Sequence, residues 1–323
     1  MKAAVTTGPG GPDVIIIENN WPKPVPQAGE VLIRIKAFGL NRSELFTRRG
    51  DSPGVNFPVI QGIECVGTVE EDNSGTYQRG QQIAAIMGGM GRYINGGYAE
   101  YAAVPLKITI PFQSSLPWCI LGAIPEMFQT VSGSLTQALQ ITRGETILIR
   151  GGTSSIGLLS AQLAKVYGLT VVSTTRNPDK TEHLKANGAD HVLLDDGNVS
   201  TALRELIPQG VDKVLELIGT PTLKDSLKCI KPRGVVCMTG ILGGEWVMKE
   251  FQPMGDIPSL GRLTVYMGEA EDLDTQRLQE FIDAVEKGEV TIAIDKTFTL
   301  DEVPAAHAYM ESNQSKGKIV VEL

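Results

Sequence analysis

Between Glu145 and Gly157 the chain reads ETILIRGGTSSIG, a short β-rich apolar run that breaks into glycines and small hydroxyls and then re-enters an apolar periodic segment. That order spells strand, tight turn and helix start, and the amides that open such a helix can face a phosphate. Gly151 and Gly157 stand at the ends of the turn, with Ser154 in the middle where the dinucleotide fingerprint carries a glycine. Gly151, Thr153, Ser154, Ser155, Ile156 and Gly157 form the candidate cradle. In it, the Ser155 and Ile156 amides would hold a pyrophosphate against the positive end of the helix dipole. A plain βα turn reads the same way, so the flanking segments must decide.

At 323 residues, 42% of them hydrophobic, the chain is longer than a single core usually grows, and two domains are expected. Residues 1–121 alternate short β-rich segments with turn signals: MKAAVTT, Val14 to Ile17, VLIRIKAFGL, ECVGTVEE, QQIAAIM, GGYAEYAAVP and LKITIP. Pro22, Pro24 and Pro26 mark an extended linker, and Asn41 to Gly50, NRSELFTRRG, reads as a short helix closed by glycine. Residues 122–267 change rhythm, with a helix over MFQTVSGSLTQAL and then the strands TILIR, LTVVSTT, HVLL, VDKVLEL, GVVCMTG and RLTVYMG separated by helical segments. Six strands joined by helical crossovers predict an α/β doubly wound parallel sheet, because parallel neighbours need right-handed crossovers. Residues 268–323 hold a helix over LDTQRLQEFIDAVEKG, a strand near Ile292 to Phe298, a helix over EVPAAHAYMESN and the strand KIVVEL. So short a tail is expected to return to the first domain.

The end of the second strand of the sheet selects the dinucleotide. An NAD site places Asp or Glu there for the ribose 2′-hydroxyl; this chain has Thr175, followed by Arg176 and Lys180. A guanidinium can grip a 2′-phosphate at two points and Lys180 can add a charge, so NADPH is the expected cofactor. Two solvated surface cations are the competing reading. The formal net charge of −8 supplies no basic field for nucleic acid or an anionic membrane. The N-terminus lacks a signal-peptide core and no apolar run approaches a membrane span, which points to the cytoplasm. Cys65, Cys119, Cys229 and Cys237 show neither CxxC nor zinc spacing and read as small hydrophobes of a reducing compartment. His183, His191 and His307 read as solvated or partly packed, without an acid–base role.

Several ordered motifs resemble the medium-chain dehydrogenase/reductase superfamily, and within it the zinc-free quinone oxidoreductase branch. They are GLNRSELFTRRG, FPVIQGIECVGTV, GGYAEYAAVP, IPEMFQTVSGSL, GGTSSIGL, LELIGTPTL, GVVCMTG and SKGKIVVEL, and they span nearly the whole chain. The resemblance implies a GroES-like β-barrel catalytic domain interrupted by a Rossmann domain, an active site in the cleft between them, and a homodimer built through edge strands near Arg262 to Met267. Zinc members have Cys where this chain has Asn41, and Gly-His-Glu where it has Gly62-Ile63-Glu64, so no metal is expected. Glu64 is expected to pair with an Arg of the barrel.

By the same resemblance Asn41 faces nicotinamide and substrate, with helix capping as its alternative. Thr130 approaches the nicotinamide, with a bond back into its own helix as the alternative. Ile218, Gly219, Gly240, Ile241, Leu242, Tyr266 and Met267 line the ribose and carboxamide. Phe46 replaces a Tyr of many relatives, which favours an apolar acceptor held by shape. Tyr93, in the run Met87 to Tyr93 at the cleft mouth, and Trp246 either line that apolar pocket or serve in packing. Asp195 takes a slot on the adenosine side where an acid would repel a 2′-phosphate, and stands against NADPH. The expected activity is zinc-independent hydride transfer from NADPH to a quinone or α,β-unsaturated carbonyl, with no nucleic-acid or membrane partner. Its rivals are an enoyl-thioester or secondary-metabolite reductase, and a non-catalytic NADPH-binding sensor or interaction protein.

Overall fold

The computed structural model describes residues 1–269, 272 and 275–323. Contacts divide them into two compact units, Met1–Gln129 with Glu269–Leu323, and Thr130–Gly268. The first unit begins with β1 (Ala3–Thr6), β2 (Ile15–Glu18), β3 (Glu30–Gly39), helix α1 (Arg42–Arg49), β4 (Val59–Ile60), β5 (Glu64–Asp72), β6 (Gln82–Ile86), β7 (Tyr101–Pro105) and β8 (Thr109–Pro111). Helices α2 (Trp118–Leu121) and α3 (Pro125–Ser132) follow. Every strand expected in this region forms, and β4 is an additional one within FPVIQG. Helix α1 ends where Gly50 turns left-handed at φ 89°, a conformation that glycine adopts without Cβ strain.

Strand β3 is buried along most of its length because both edges are used. β5 runs antiparallel along one edge; β7 and then β16 (Lys318–Glu322) take the other. In the tail, α9 (Thr275–Glu286) and α10 (Val303–Glu311) flank β15 (Ile294–Thr299), which pairs parallel with β16. The first two residues of the helix expected there, Leu273 and Asp274, lie outside the described residues. Because Val320 opposes Gly39, the closing strand carries Lys318 to the turn that starts α1. Val31, Ile33, Phe38, Leu45, Ile83, Val104 and Val321 form the apolar core, each worth about 1.5–3 kcal/mol on burial.

In the second unit β9 (Thr146–Arg150), β10 (Thr170–Thr175), β11 (His191–Leu194), β12 (Val211–Glu216), β13 (Ile230–Met238) and β14 (Arg262–Val265) are all parallel, in the order β11-β10-β9-β12-β13-β14. Helices α4 (Ser155–Val166), α5 (Thr181–Ala186), α6 (Val199–Leu206), α7 (Thr220–Cys229) and α8 (Pro253–Asp256) complete the doubly wound Rossmann arrangement. The helix expected over MFQTVSGSLTQAL is α-helical only to Ser132 and widens to a π-helix over Gly133–Ala138. The change begins where a Cβ at Gly133 would fall 2.0 Å from the Tyr266 ring, so the missing side chain admits that ring. Among the described residues no helix is long and apolar enough to cross a membrane.

Candidate functional site

Open parallel sheets bind ligands beyond the carboxyl ends of their strands, and the expected cofactor residues gather there. At the end of β9, Gly151 turns with φ 88° and Ser154 becomes the N-cap of α4, its Oγ accepting from Gly157 N at 3.0 Å and donating to Gly151 O at 2.8 Å. The serine in the glycine position is therefore the residue that closes the turn. Gly157 cannot carry a side chain, because a Cβ would meet Gly151 O at 2.6 Å. Gly152 was not singled out from sequence, yet it is tighter still, with Ser173 Oγ 1.9 Å from a hypothetical Cβ. The Ser155 and Ile156 amides open the helix, where no preceding turn offers them a carbonyl. The turn thus fits an anionic diphosphate.

A Cβ on Gly151 would lie 3.1–3.5 Å from Leu217, Ile218 and Leu242, so the loops after β9, β12 and β13 converge. Backbone bonds from Leu242 N to Leu217 O (3.0 Å) and Gly243 N to Ile218 O (2.8 Å) lock the last two together. Tyr266 N reaches Met238 O and is nearly buried, whereas Met267 is 76% exposed.

At the end of β10 the Thr175 hydroxyl is spent on its own turn, donating to Asn177 O and accepting from Asn177 N, each at 3.1 Å. Arg176 is exposed and Lys180 half-buried; among the described residues neither is in an ion pair. Asp195 lies beside this end, its amide donating to Thr175 O at 2.8 Å. From sequence this acid is expected to oppose a 2′-phosphate; in the structure its carboxylate is paired. Arg150 grips it with Nε to Oδ2 and Nη2 to Oδ1, both 2.8 Å. Burial raises the Asp195 carboxyl, but the fork more than offsets this and the net shift is downward.

Arg150 and Glu216 are buried charged residues beside these loops whose partners the sequence did not reveal. Arg150 is fully buried and also donates to Asp225 Oδ2 (2.8 Å), Thr222 O and Ser226 Oγ (3.1 Å each). Ser226 Oγ donates to Glu216 Oε2, and the other oxygen of Glu216 accepts from Ile218 N at 2.7 Å and Gly219 N at 3.0 Å. A continuous hydrogen-bonded path therefore joins the Asp195 loop to the Ile218-Gly219 turn. The only sequence signal was charged residues closing apolar strands, TILIR and VDKVLE.

In the first unit Asn41 occupies the N-cap position of α1, in a capping box with Glu44, and its side chain also meets two charged groups. Nδ2 donates to Glu64 Oε1 at 2.9 Å and Oδ1 accepts from Lys318 Nζ at 2.6 Å. The partner of Glu64 is Lys318, at 2.9 Å, rather than an Arg, and Glu126 Oε2 is 3.4 Å from the same ammonium. The arginine expectation failed because a partner contributed by the last strand has no local signature. Burial lowers Lys318, yet Glu64 and Glu126 outweigh it and hold the ammonium charged; Glu64 itself is raised by burial, against the pull of Lys318. Glu64 Oε2 additionally accepts from Glu126 N at the start of α3 (2.8 Å).

A second chain runs from α1. Glu44 accepts from Asn41 N (2.7 Å), Ile63 N (2.9 Å) and the Tyr98 hydroxyl. Tyr98 meets His307 Nε2 at 3.0 Å, and His307 Nδ1 faces Arg48 Nη1 at 3.0 Å. A guanidinium can only donate, so Nδ1 accepts and the proton sits on Nε2. His307 is fully buried, more so than the solvated or partly packed histidine expected; burial first, and Arg48 second, lower it to about 3. Burial pushes Glu44 up to about 7.

Thr130 is half-buried in α3, and Phe46 is half-buried in α1. Tyr93, 67% exposed, belongs to a turn in which Gly91 N donates to Ile94 O; Trp246, 61% exposed, belongs to the other unit. Burial pushes the thiols of Cys65 and Cys229 up to about 12, which leaves them inert. Among the described residues no three His, Cys, Asp or Glu side chains form a metal-holding group.

Residues 27–114 match the family described as alcohol dehydrogenase GroES-like domain, and residues 187–321 match zinc-binding dehydrogenase. The chain is 28% identical over 341 residues to 2-haloacrylate reductase of Burkholderia sp, covering 99% of this chain and 98% of the relative. It is 25% identical over 321 residues to quinone oxidoreductase of Rattus norvegicus, covering 97% and 95%. A crystal structure of 2-haloacrylate reductase is similar at 26% identity with a TM-score of 0.85, over 100% of this chain and 99% of that one. A GroES-like domain together with a Rossmann sheet, in a chain matched end to end by oxidoreductases, decides the assignment. The chain is an oxidoreductase and belongs to the medium-chain dehydrogenase/reductase superfamily, in its quinone oxidoreductase-like branch.

Proposed function

We propose that this chain is a zinc-independent, NADPH-dependent reductase that delivers hydride to a quinone or an α,β-unsaturated carbonyl compound in the cytoplasm. The observation that carries the cofactor half is the charge at the end of β10: two cations that take part in no ion pair among the described residues, no acid at position 175, and Asp195, whose amide bonds Thr175 O, already gripped by Arg150. The acceptor half is supported by relatives named for a quinone and for an acrylate, both conjugated acceptors. Zinc independence is supported by the donor set. Ile63 offers no donor atom, and Asn41 and Glu64 already share the Lys318 ammonium.

When bound, NADPH supplies the hydride, and solvent supplies the proton that completes reduction. Ser155 and Ile156 hold the pyrophosphate, Arg176 and Lys180 take the 2′-phosphate, and Glu216 fixes the Ile218-Gly219 turn. Asn41 orients the acceptor, its amide fixed by Lys318 and Glu64, and Thr130 serves the nicotinamide. Strand β14, the edge of the parallel sheet, leaves Val265 61% and neighbouring Met267 76% exposed, an apolar edge suited to pairing with a second copy.

The test is NADPH binding by fluorescence, followed by its oxidation with a panel of quinones, enones and enoyl thioesters. Binding without turnover on any acceptor would favour a sensor, and turnover on thioesters alone would favour the enoyl-thioester reading. Arg176→Ala should weaken NADPH by about tenfold or more while leaving NADH nearly unchanged, because it removes charge-assisted bonds to the 2′-phosphate; equal losses would overturn the assignment. Sedimentation velocity of the same protein should show a dimer, and a monomer would remove the role given to β14.

A further inference from the structure

We propose that Arg150 is a positioning residue that sets the cofactor preference, its guanidinium fork taking up the charge of Asp195 so that a 2′-phosphate can sit at the end of β10. This rests on the NADPH reading above. Arg150 closes β9 with no exposed surface, and its Asp195 partner has only 8% of its side chain exposed. Both Asp195 oxygens are engaged by the fork, and Oδ1 also takes Gly197 N at 3.0 Å. A carboxylate so occupied has little acceptor capacity left for a ribose hydroxyl, the interaction by which an acid would favour NADH. Its backbone is bonded to Thr175 O, one residue before Arg176, so an uncompensated charge here would act at the phosphate position.

Arg150 also faces Asp225, which accepts from Ser200 N (3.2 Å) and Ser200 Oγ (2.5 Å). Removing the guanidinium therefore takes the cation from three carboxylates, Asp195, Asp225 and, through Ser226, Glu216. Replacing Asp225 by Asn at the same time removes one of them, and the further change D195N is what isolates the effect of Asp195.

The experiment measures dissociation constants of NADPH and of NADH by titration of the full-length protein, with no turnover required. In R150M/D225N the ratio Kd(NADPH)/Kd(NADH) should rise about tenfold, the penalty for an unpaired carboxylate near a phosphate at intermediate dielectric. Adding D195N should bring the ratio back towards that of the parent. A merely structural role would weaken both cofactors together. A ratio that R150M/D225N does not move, or that D195N does not restore, overturns the inference. Should that variant fail to fold, R150K keeps the charge but loses the fork, and should move the ratio the same way by about threefold; no movement is equally fatal. A parent protein that binds NADH as tightly as NADPH defeats the cofactor reading and this inference with it. A parent that prefers NADPH, with a ratio indifferent to Arg150, defeats this inference alone.

Discussion

Lys318 in the first unit and Arg150 in the second are both buried cations among carboxylates, but they are assembled differently. Lys318 meets Asn41 from 277 positions away, and its other partners, Glu64 and Glu126, come from two further segments. Arg150, Glu216 and Asp195 instead end, or directly follow, strands of one parallel sheet, with Asp225 and Ser226 on the helix behind it. Chain topology brings the second network together; single side chains chosen one at a time make the first. The first should therefore fail more completely when one member is lost. Lys318→Met leaves Glu64 buried beside Glu126 with no cation and should cost about 3–5 kcal/mol in urea unfolding, with Lys318→Met/Glu64→Gln recovering much of it. A loss below about 1 kcal/mol would mean that the pair behaves like a surface bridge and the contrast is false.

The same contrast explains what could be read from the chain. Strand alternation, the glycine turn and Gly50 are local signals, and they placed every strand but the two-residue β4. The turn after β9 was legible because a βα turn holds its geometry within seven neighbours, Gly151 to Gly157. Partners were not. Glu64 with Lys318, and His307 with Tyr98 and Arg48, are pairings fixed only by packing, and nothing near His307 distinguishes it from the exposed His191. Asp195 does lie beside the end of β10, its amide on Thr175 O, but its pairing could be judged only with Arg150 in place.

Titration separates the regions further. Glu44, at about 7 against 4.5 unfolded, contributes stability that is full below 4.5 and is lost as pH rises through 7. His307, at about 3 against 6.5, acts oppositely: its contribution is present above 6.5 and is lost as pH falls towards 3. Between pH 4.5 and 6.5 the two oppose each other in the native protein. Glu44→Gln removes the first and exposes the second, so as pH falls from 6.5 to 4.5 its stability should drop by about 2 kcal/mol more than the native protein's. Asp195, lowered by its fork, holds its contribution above 3.8 and loses it only below. Parallel pH curves for native protein and Glu44→Gln would dissolve this separation.

The smallest effect belongs to the turn itself. Ser154→Ala removes the bonds to Gly157 N and Gly151 O without touching either network, so its cost is that of a lost N-cap, about 1 kcal/mol. It should be felt differently from a change at Arg150 or Arg176. On the proposed function the turn would serve the pyrophosphate, which NADPH and NADH share, so loosening it should weaken both by the same factor and leave their ratio alone. Titration of both cofactors reads this directly. A ratio shifted by Ser154→Ala would mean that the glycine turn and the 2′-phosphate end act as one site, and that the selectivity assigned to the ends of β9 and β10 is shared with the start of α4.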